Sequence, residues 1–217
     1  MEKYIKSITA MNDLTISMSN RQEVERYAES DCFWAANKQR PLPNRTPKKG
    51  YVYQFEFGKN FIPEMSYEHR GLVIGVSGKL LCVLPICTWN SSIPEHVAAY
   101  HPIDNPASKS NYFLLKQTEF PFLTRDSVLK LNDIRTVSMA RIKYRQKNGW
   151  MDPNSQTYRT IEELVLKKYF FAHAYAHEQL QQDYAAAQKT LDDLRDAIQT
   201  HGFDETAQQT IRQLLGI

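Results

Sequence analysis

Hydrophobic positions in the middle of the chain fall into short blocks that are typical of β-strands. Residues 51–57 form a β-branched and aromatic run, and two further apolar runs cover 71–76 and 80–86. A Ser-Gly pair at 77–78 separates those two runs, so they predict a buried hairpin, with the first run as a partner strand. The polar stretch 58–69 is predicted to be the loop between the first two strands.

The chain after this hairpin continues the β pattern. Residues 89–111 contain three prolines without sustained periodicity, which predicts a long functional or mobile loop. Three short apolar runs then cover 112–115, 127–131 and 134–137. Basic side chains next alternate with Ile142 and Tyr144, which on a strand predicts one basic face; they are Arg141, Lys143, Arg145 and Lys147. The expected fold class is α+β, with a small bent β-barrel core.

Both ends of the chain show helical periodicity instead. Residues 1–37 are predicted to be helical, with Ser19 and Asn20 as a capping pair for the second helix. From Leu166 to Ile198, mostly apolar residues recur at alternating spacings of four and three and form a seam along one helical face. This pattern is typical of a long amphipathic helix, a helical hairpin or a coiled coil. Gly202 is expected to end it, before a last short helix at 204–215.

Prolines and basic residues mark the join between the N-terminal helices and the β region. Residues 37–49 hold three prolines and five Lys or Arg, so an extended connector is predicted. A solvated linker is favoured over an arm that grips a nucleic-acid backbone. We expect three regions: an extension at 1–46, a core at 47–150 and a C-terminal extension at 151–217.

Composition narrows the class of protein. No apolar run approaches the roughly 18 residues that a membrane helix needs, and the first residues lack a signal-peptide core, so no membrane association is expected. The 3 cysteines are odd in number, which fits a reducing cytoplasm better than a disulfide framework. Residues 51–150 carry 12 Lys or Arg against 8 Asp or Glu, and residues 151–217 carry 6 against 10. A basic middle is compatible with a surface that binds nucleic acid, and a charge difference of this size is also common by chance.

Metal and cofactor chemistry has little support in the motifs. His173 and His177 have the spacing of two zinc ligands on a helix, but the order is not H-E-x-x-H and both lie in the apolar seam. A structural role is therefore favoured for them. The sequence lacks a Gly-rich phosphate loop, a nucleophile elbow and a CxxC pair, so we expect no cofactor.

A set of polar residues at the predicted strand ends could carry acid–base chemistry. Its members are Glu64, Glu68, His69, Arg70, Cys87, Thr88 and Arg135. Such a set is an ordinary feature of strand ends, but it also suits cleavage of an RNA phosphodiester. That reaction needs the 2′-hydroxyl deprotonated, the phosphorane charge balanced and the leaving 5′-oxygen protonated. His, Glu or Arg can move the protons, and Arg with a hydroxyl can hold the phosphorane without a metal.

Two separate motifs resemble one protein family. They are KGYVYQFEFG, Glu64, RGLVI and VLPICT between residues 49 and 88, and DSVLKLNDIRTVSMARI at 126–142. In order and spacing they resemble the opening and closing signatures of the PemK/MazF toxins of type II toxin–antitoxin systems. The resemblance covers roughly residues 47–145 and leaves the helical ends outside.

The resemblance implies a small twisted β-barrel, usually dimeric, with metal-independent endoribonuclease activity on single-stranded RNA. It implies products with 2′,3′-cyclic phosphate and 5′-hydroxyl ends, and inhibition by an antitoxin protein whose acidic segment occupies the RNA groove. By motif, the family's catalytic Arg and Thr correspond to Arg70 and Thr88, and its loop acid to Glu64. Asn132 stands where the family often has Gln, and Arg135 matches its Arg.

The motifs depart from the family by one residue. The family has Pro and one more residue between its Arg and L-V-I, whereas here only Gly71 intervenes, so without a gap His69 occupies the Arg position. Counted from Pro85–Ile86, Cys87 likewise stands where Thr is usual. A shift of one residue on a strand reverses the face, so the two alternatives cannot be equivalent.

Three functions follow as expectations. The first is a toxin-type endoribonuclease, with Arg70 stabilising the phosphorane, Thr88 binding the phosphate and His69 or Glu64 assisting as acid or base. The RNA backbone would follow Asn132, Arg135, Arg141 and Lys143. The second is a noncatalytic module that binds RNA or a protein on the same fold. The third is a gyrase-poisoning toxin of the CcdB type, which nothing outside the expected fold supports.

Overall fold

Seven antiparallel strands build the centre of the molecule. The computed structural model describes residues 1–39, 42, 47–201, 205, 208–209 and 212–213. The strands are β1 (Tyr51–Glu56), β2 (Glu68–Ser77), β3 (Leu80–Thr88), β4 (Tyr112–Leu115), β5 (Ser127–Lys130), β6 (Arg135–Ser138) and β7 (Ile142–Trp150). The helices are α1 (Glu2–Ser17), α2 (Arg21–Asn37), α3 (Pro94–Val97), α4 (Gln156–Tyr169) and α5 (Phe171–His201).

The strand order is β4-β5-β3-β2-β1-β7. The remaining strand, β6, is not part of this order and pairs with β3. β3 is the central element, because its first half pairs with β6 and its last three residues pair with β5. Within the described chain no pairing joins β4 to β7, so the sheet is not closed. The fold is therefore α+β, and the expected closure into a bent barrel is not confirmed.

The predicted β2–β3 hairpin is confirmed, and its turn contains Gly78 at φ +57°. β2 begins earlier than predicted, at Glu68, so Glu68 and His69 belong to the strand and not to the preceding loop. Backbone pairing to β1 explains the extension, because Glu56 lies opposite Glu68 in the ladder. Polar residues thus continue a strand whose apolar part alone was visible in the sequence.

Two clusters of buried side chains hold the sheet. The first joins β2, β3 and β5 to α4, through residues that include Leu72, Leu84, Leu129, Tyr158 and Ile161. Tyr158 is fully buried, and its hydroxyl lies 3.4 Å from the Val73 carbonyl oxygen. The second cluster lies on the other side of β2 and β3 and includes Phe55, Val73, Leu81, Val83 and Val137.

Helix α2 is fastened to the strand ends by polar contacts. The Asn20 side chain accepts a hydrogen bond from the Gln22 amide, which confirms the predicted N-cap. The Ser30 hydroxyl donates to Glu56 at 2.9 Å, and Asp31 pairs with Lys59 at 2.6 Å. The ammonium of Lys59 also lies 3.6 Å from the ring centroid of Tyr27. α2 therefore belongs structurally with the sheet.

The described chain divides into two compact units, Met1–Val165 and Leu166–Ile217. The predicted C-terminal helix is present but begins at Gln156 and is split at Phe170 into α4 and α5. Residues 40–41 and 43–46 of the predicted connector lie outside the described residues, as do Gly202 and most of the predicted helix at 204–215. The three-region division at residues 46 and 150 stays a prediction.

Among the helices of the described ranges, none combines the length and the apolar character that a bilayer span requires. The three cysteines are all free thiols.

Candidate functional site

The register of β1, β2 and β3 decides which strand-end residues share a face. Arg70 lies opposite Ile86 in β3 and opposite Gln54 in β1. His69 lies opposite Phe55, one position away. Because side chains alternate along a strand, Arg70 shares the α4-facing side of the sheet with Leu72, and His69 lies on the other side.

The same alternation separates Thr88 and Cys87, the two candidates for the threonine position of the motif. Thr88 shares the face of Ile86, and therefore of Arg70, whereas Cys87 lies on the opposite face. Arg70 and Thr88 thus form one pair, and His69 and Cys87 form another on the reverse side. Alternation therefore places the Arg70 and His69 side chains on opposite faces of the sheet, although the charge of Arg70 still acts on His69.

Arg70 is held in place by a serine that the sequence did not single out. Its Nη2 donates a hydrogen bond to Ser127 Oγ at 3.2 Å. Ser127 is fully buried, and its hydroxyl donates to the Arg125 carbonyl oxygen at 3.1 Å. Ser127 also lies directly opposite Thr88 in the ladder. A buried hydroxyl therefore orients the guanidinium beside the threonine.

We call the group around this guanidinium the Arg70 cluster. It comprises Gln54, Arg70, Thr88, Arg125, Ser127 and Tyr144. Burial lowers the pKa of Arg70 below its ordinary value, and the nearby charge of Arg125 adds to that effect. Tyr144 lies opposite Gln54 on β7 and is 54% exposed, so an aromatic ring borders the cluster on its open side. The cluster combines two cations, two hydroxyl groups, an amide and an aromatic ring.

Three residues of the Arg70 cluster that the sequence analysis did not propose for the site are identified by the strand register and not by a motif. Gln54, Ser127 and Tyr144 are each the opposite neighbour of a cluster residue across a strand pair. Pairing between distant segments cannot be read from local spacing, and sequence reasoning therefore missed them.

The reverse face holds a neutral thiol. Burial raises the pKa of the Cys87 thiol to about 11, so it stays protonated near neutral pH. Its sulfur lies 3.9 Å from His96 Nε2, while His96 Nδ1 accepts a hydrogen bond from the Asn90 amide. Burial also lowers the pKa of His96. A neutral thiol beside a neutral imidazole is not an activated nucleophile.

Two predicted site residues lie on the surface without a role in the Arg70 cluster. Glu64 is exposed in the loop between β1 and β2, and its amide donates to the Phe61 carbonyl in a turn. Asn132 is exposed in a short 3₁₀ turn between β5 and β6. The structure does not bring either residue into contact with Arg70.

Arg135 serves the fold of that loop. Its guanidinium pairs with the buried carboxylate of Asp133 and donates to the Met65 carbonyl at 3.1 Å. Asp133 in turn accepts a hydrogen bond from the Met65 amide at 2.7 Å. These contacts fasten the loop to the start of β6, and they leave little of the guanidinium for a ligand.

Arg141 and Lys143 lie at the ends of the strands beside α2. Arg141 Nη1 donates to the Glu56 carbonyl oxygen at 3.0 Å. Lys143 pairs with Glu68 and lies 5.9 Å from the Phe33 ring of α2. The hydrogen bond from Lys143 to Glu68 is the main factor that raises the pKa of Lys143. These two predicted RNA-binding cations are therefore already engaged by acidic or backbone oxygens.

Among the described residues, no three His, Cys, Asp or Glu side chains come together as a metal site would need. His173 and His177 are exposed on α5.

His69 gives a testable pH effect on stability. Burial, followed by the charges of Arg26 and Arg70, lowers the pKa of His69 in the folded protein. The unfolded chain, with an ordinary His pKa of about 6.5, binds the proton more readily, so protonation favours unfolding. We expect the free energy of unfolding of the wild type to fall, relative to His69→Gln, as the pH decreases from about 7 to about 5. Urea denaturation at several pH values measures this, and a constant difference would contradict the effect.

No protein-family model matches this chain, and a search of curated proteins finds no match to it.

Proposed function

We propose that this protein is a metal-independent endoribonuclease that cleaves single-stranded RNA at the Arg70 cluster. The observation that carries the proposal is the shared face of Arg70 and Thr88, with the buried Ser127 hydroxyl 3.2 Å from the guanidinium and opposite Thr88 in the ladder. A fixed cation beside a hydroxyl is the arrangement that stabilises a phosphorane.

In the proposed reaction the ribose 2′-oxygen attacks the phosphorus and the bond to the 5′-oxygen breaks. The products are a 2′,3′-cyclic phosphate and a 5′-hydroxyl. Arg70 would bind the non-bridging oxygens as their charge rises, and Thr88 would donate a hydrogen bond to the phosphate. The leaving 5′-oxygen would take a proton from the Arg70 guanidinium, which would regain one from solvent.

Glu68 is the carboxylate best situated to take the 2′-hydroxyl proton. It lies two residues before Arg70 on β2, and alternation gives both side chains the same face. Its carboxylate pairs with the Lys143 ammonium. Glu68 therefore takes the general-base role that the sequence suggested for His69 or Glu64.

The sheet supports a PemK/MazF-like core as part of this proposal, because both motifs of the resemblance lie in it, on β1–β3 and on β5–β7. On the same resemblance we propose a cytoplasmic toxin that forms a homodimer and is inhibited by an antitoxin protein. The free cysteines are consistent with a reducing compartment.

A noncatalytic module that binds RNA or protein is the second candidate. Within the described residues, no carboxylate or imidazole is in hydrogen-bond contact with Arg70. A guanidinium without an adjacent base would still bind phosphate, and this observation favours binding over catalysis.

Incubation with a long single-stranded RNA in EDTA separates the two candidates. We expect discrete fragments with cyclic-phosphate ends, no cleavage of the all-DNA equivalent, and at least about tenfold slower cleavage by Glu68→Gln, as for loss of a general base. Glu95→Gln, a surface carboxylate on α3, is the matched control. If the wild type binds the RNA but leaves it intact, the nuclease proposal is wrong and the noncatalytic binding module is supported.

A further inference from the structure

A cavity of about 480 Å³ lies between α2 and the strand ends. Its lining includes two aromatic rings, three cations and two carboxylates: Phe33, Trp34, Lys38, Lys59, Arg141, Asp31 and Glu56. All seven belong to the first compact unit. The cavity has a mixed character, with flat apolar walls and charges of both signs, and it is open to solvent beside Trp34, which is 57% exposed.

Glu56 supplies an unused hydrogen-bond acceptor inside the cavity. The residue is 4% exposed, and its Oε1 accepts from the Ser30 hydroxyl and the Gly58 amide, both at 2.9 Å. In the part of the chain that the structure describes, no group donates a hydrogen bond to Oε2. Every buried side-chain oxygen in the described chain has a hydrogen-bond partner, so Oε2 is open to solvent from the cavity and can accept two hydrogen bonds from a ligand. A ligand with two adjacent N–H donors would satisfy it.

The aromatic and cationic groups define the rest of such a ligand. Trp34 presents an exposed indole face, and the Lys38 ammonium lies 4.5 Å from its ring centroid. Among described residues Lys38 has no carboxylate partner, whereas Lys59 is neutralised by Asp31. An aromatic platform beside an unpaired cation is the usual way to bind a base by stacking and its phosphate by charge.

The Arg141 guanidinium closes the cavity on the strand side. It donates to the Glu56 carbonyl, and a side chain on Gly58 would come within 3.0 Å of its Nη1. Gly58 has φ +86°, a conformation that L residues rarely adopt. The glycine therefore serves two needs, since it makes the turn after β1 and leaves room for the arginine.

We infer that this cavity binds one guanine nucleotide of single-stranded RNA. Guanine alone among the RNA bases carries two adjacent N–H donors on its Watson–Crick edge, and these match the two free positions on Glu56 Oε2. Trp34 and Phe33 would stack on the base, and Lys38 would meet the phosphate. The inference rests on the proposed RNA-directed function and adds to it a base specificity.

The cavity is close to the proposed cleavage site along the strand. Gln54 lies opposite Arg70 in the pairing of β1 with β2. Glu56 is two residues further along β1 on the same face, which is about 7 Å from Gln54 along the strand. A guanine held there would place a neighbouring phosphate at Arg70. Cleavage is therefore expected next to guanine.

Binding of an uncleavable RNA tests the inference independently of catalysis. The probes are 2′-O-methyl heptamers, one all uridine and one with a single central guanosine, titrated into the full chain by fluorescence anisotropy. We expect the guanosine probe to bind at least about tenfold more tightly. Glu56→Gln keeps an acceptor for Ser30 and Gly58 but turns the second oxygen into a donor, so it should reduce the preference to below about twofold.

Two further variants make the result decisive. Trp34→Leu, at an exposed position, should weaken both probes by removing the stacking surface. Glu95→Gln should behave as the wild type. Equal binding of the two probes by the wild type, or a guanosine preference that survives Glu56→Gln in a protein with an unchanged circular dichroism spectrum, would overturn the cavity assignment.

Parallel incubation with unmodified RNA separates this inference from the proposed nuclease. Guanosine-selective binding without cleavage would remove the nuclease and keep the cavity. Cleavage by a protein that shows no guanosine preference in binding would keep the nuclease and remove the cavity assignment.

Discussion

Replacement of Arg70 by alanine is expected to slow RNA cleavage by about 100- to 1000-fold, the usual loss when one preorganised donor to a transition-state anion is removed. The folded state should change little, because Ser127 Oγ keeps its hydrogen bond to the Arg125 carbonyl. Single-turnover cleavage at saturating protein measures the chemical step, and thermal unfolding measures the stability.

The control for this variant is Lys79→Ala, which removes a cation from the exposed β2–β3 turn. Arg70→Lys should recover only a small part of the rate, since an ammonium cannot donate to Ser127 and phosphate in one plane. If Arg70→Ala cleaved as fast as the wild type while His69→Ala did not, the active face of the sheet would be the other one.

Replacement of Gly71 by alanine is expected to destabilise the fold by about 1–3 kcal/mol, the usual cost of overpacking a core. A Cβ at this position would lie 2.4 Å from Val83 Cγ1 and 2.9 Å from Phe55 Cδ2. Neither neighbour can withdraw freely, because both are fully buried in the second cluster. Urea denaturation at pH 7 measures the free energy of unfolding.

A second substitution tests the cause of that effect. Val83→Ala removes the methyl group that the new Cβ of Gly71→Ala would strike, so the double variant should be less destabilised than the sum of the two single variants. Strict additivity would show that the loss at Gly71 comes from the contact with Phe55, from backbone conformation or from the unfolded state, and not from the contact with Val83.

The sequence predicted the strands well where apolar residues formed them. The hairpin of β2 and β3, the short strands β4 to β6 and the N-cap at Asn20 all follow from local patterns. The start of β2 did not, because Glu68 and His69 become strand only through pairing with β1. Closure of the sheet depends on contacts between its two edges, which no local pattern encodes.

The candidate site was predicted only in part for the same reason. Arg70 and Thr88 were identified together with their neighbours His69 and Cys87, and the register shows which of them share a face. Ser127 and Gln54 came from strands distant in sequence. The contacts of α2 with Glu56 and Lys59 also span long separations, so a helix that was predicted as an extension proved to wall a cavity.

The way α2 and α4 join the sheet sets the smallest segment that should fold alone. A fragment of residues 47–150 would expose the apolar surface of the sheet that Tyr158, Ile161 and Val165 cover. It would also lose the hydrogen bond from the Ser30 hydroxyl to Glu56. A fragment of residues 19–165 keeps the cap of α2, both buried clusters and the polar contacts at the strand ends. Recombinant work on the sheet and its candidate site should therefore retain both helical flanks and can dispense with α5.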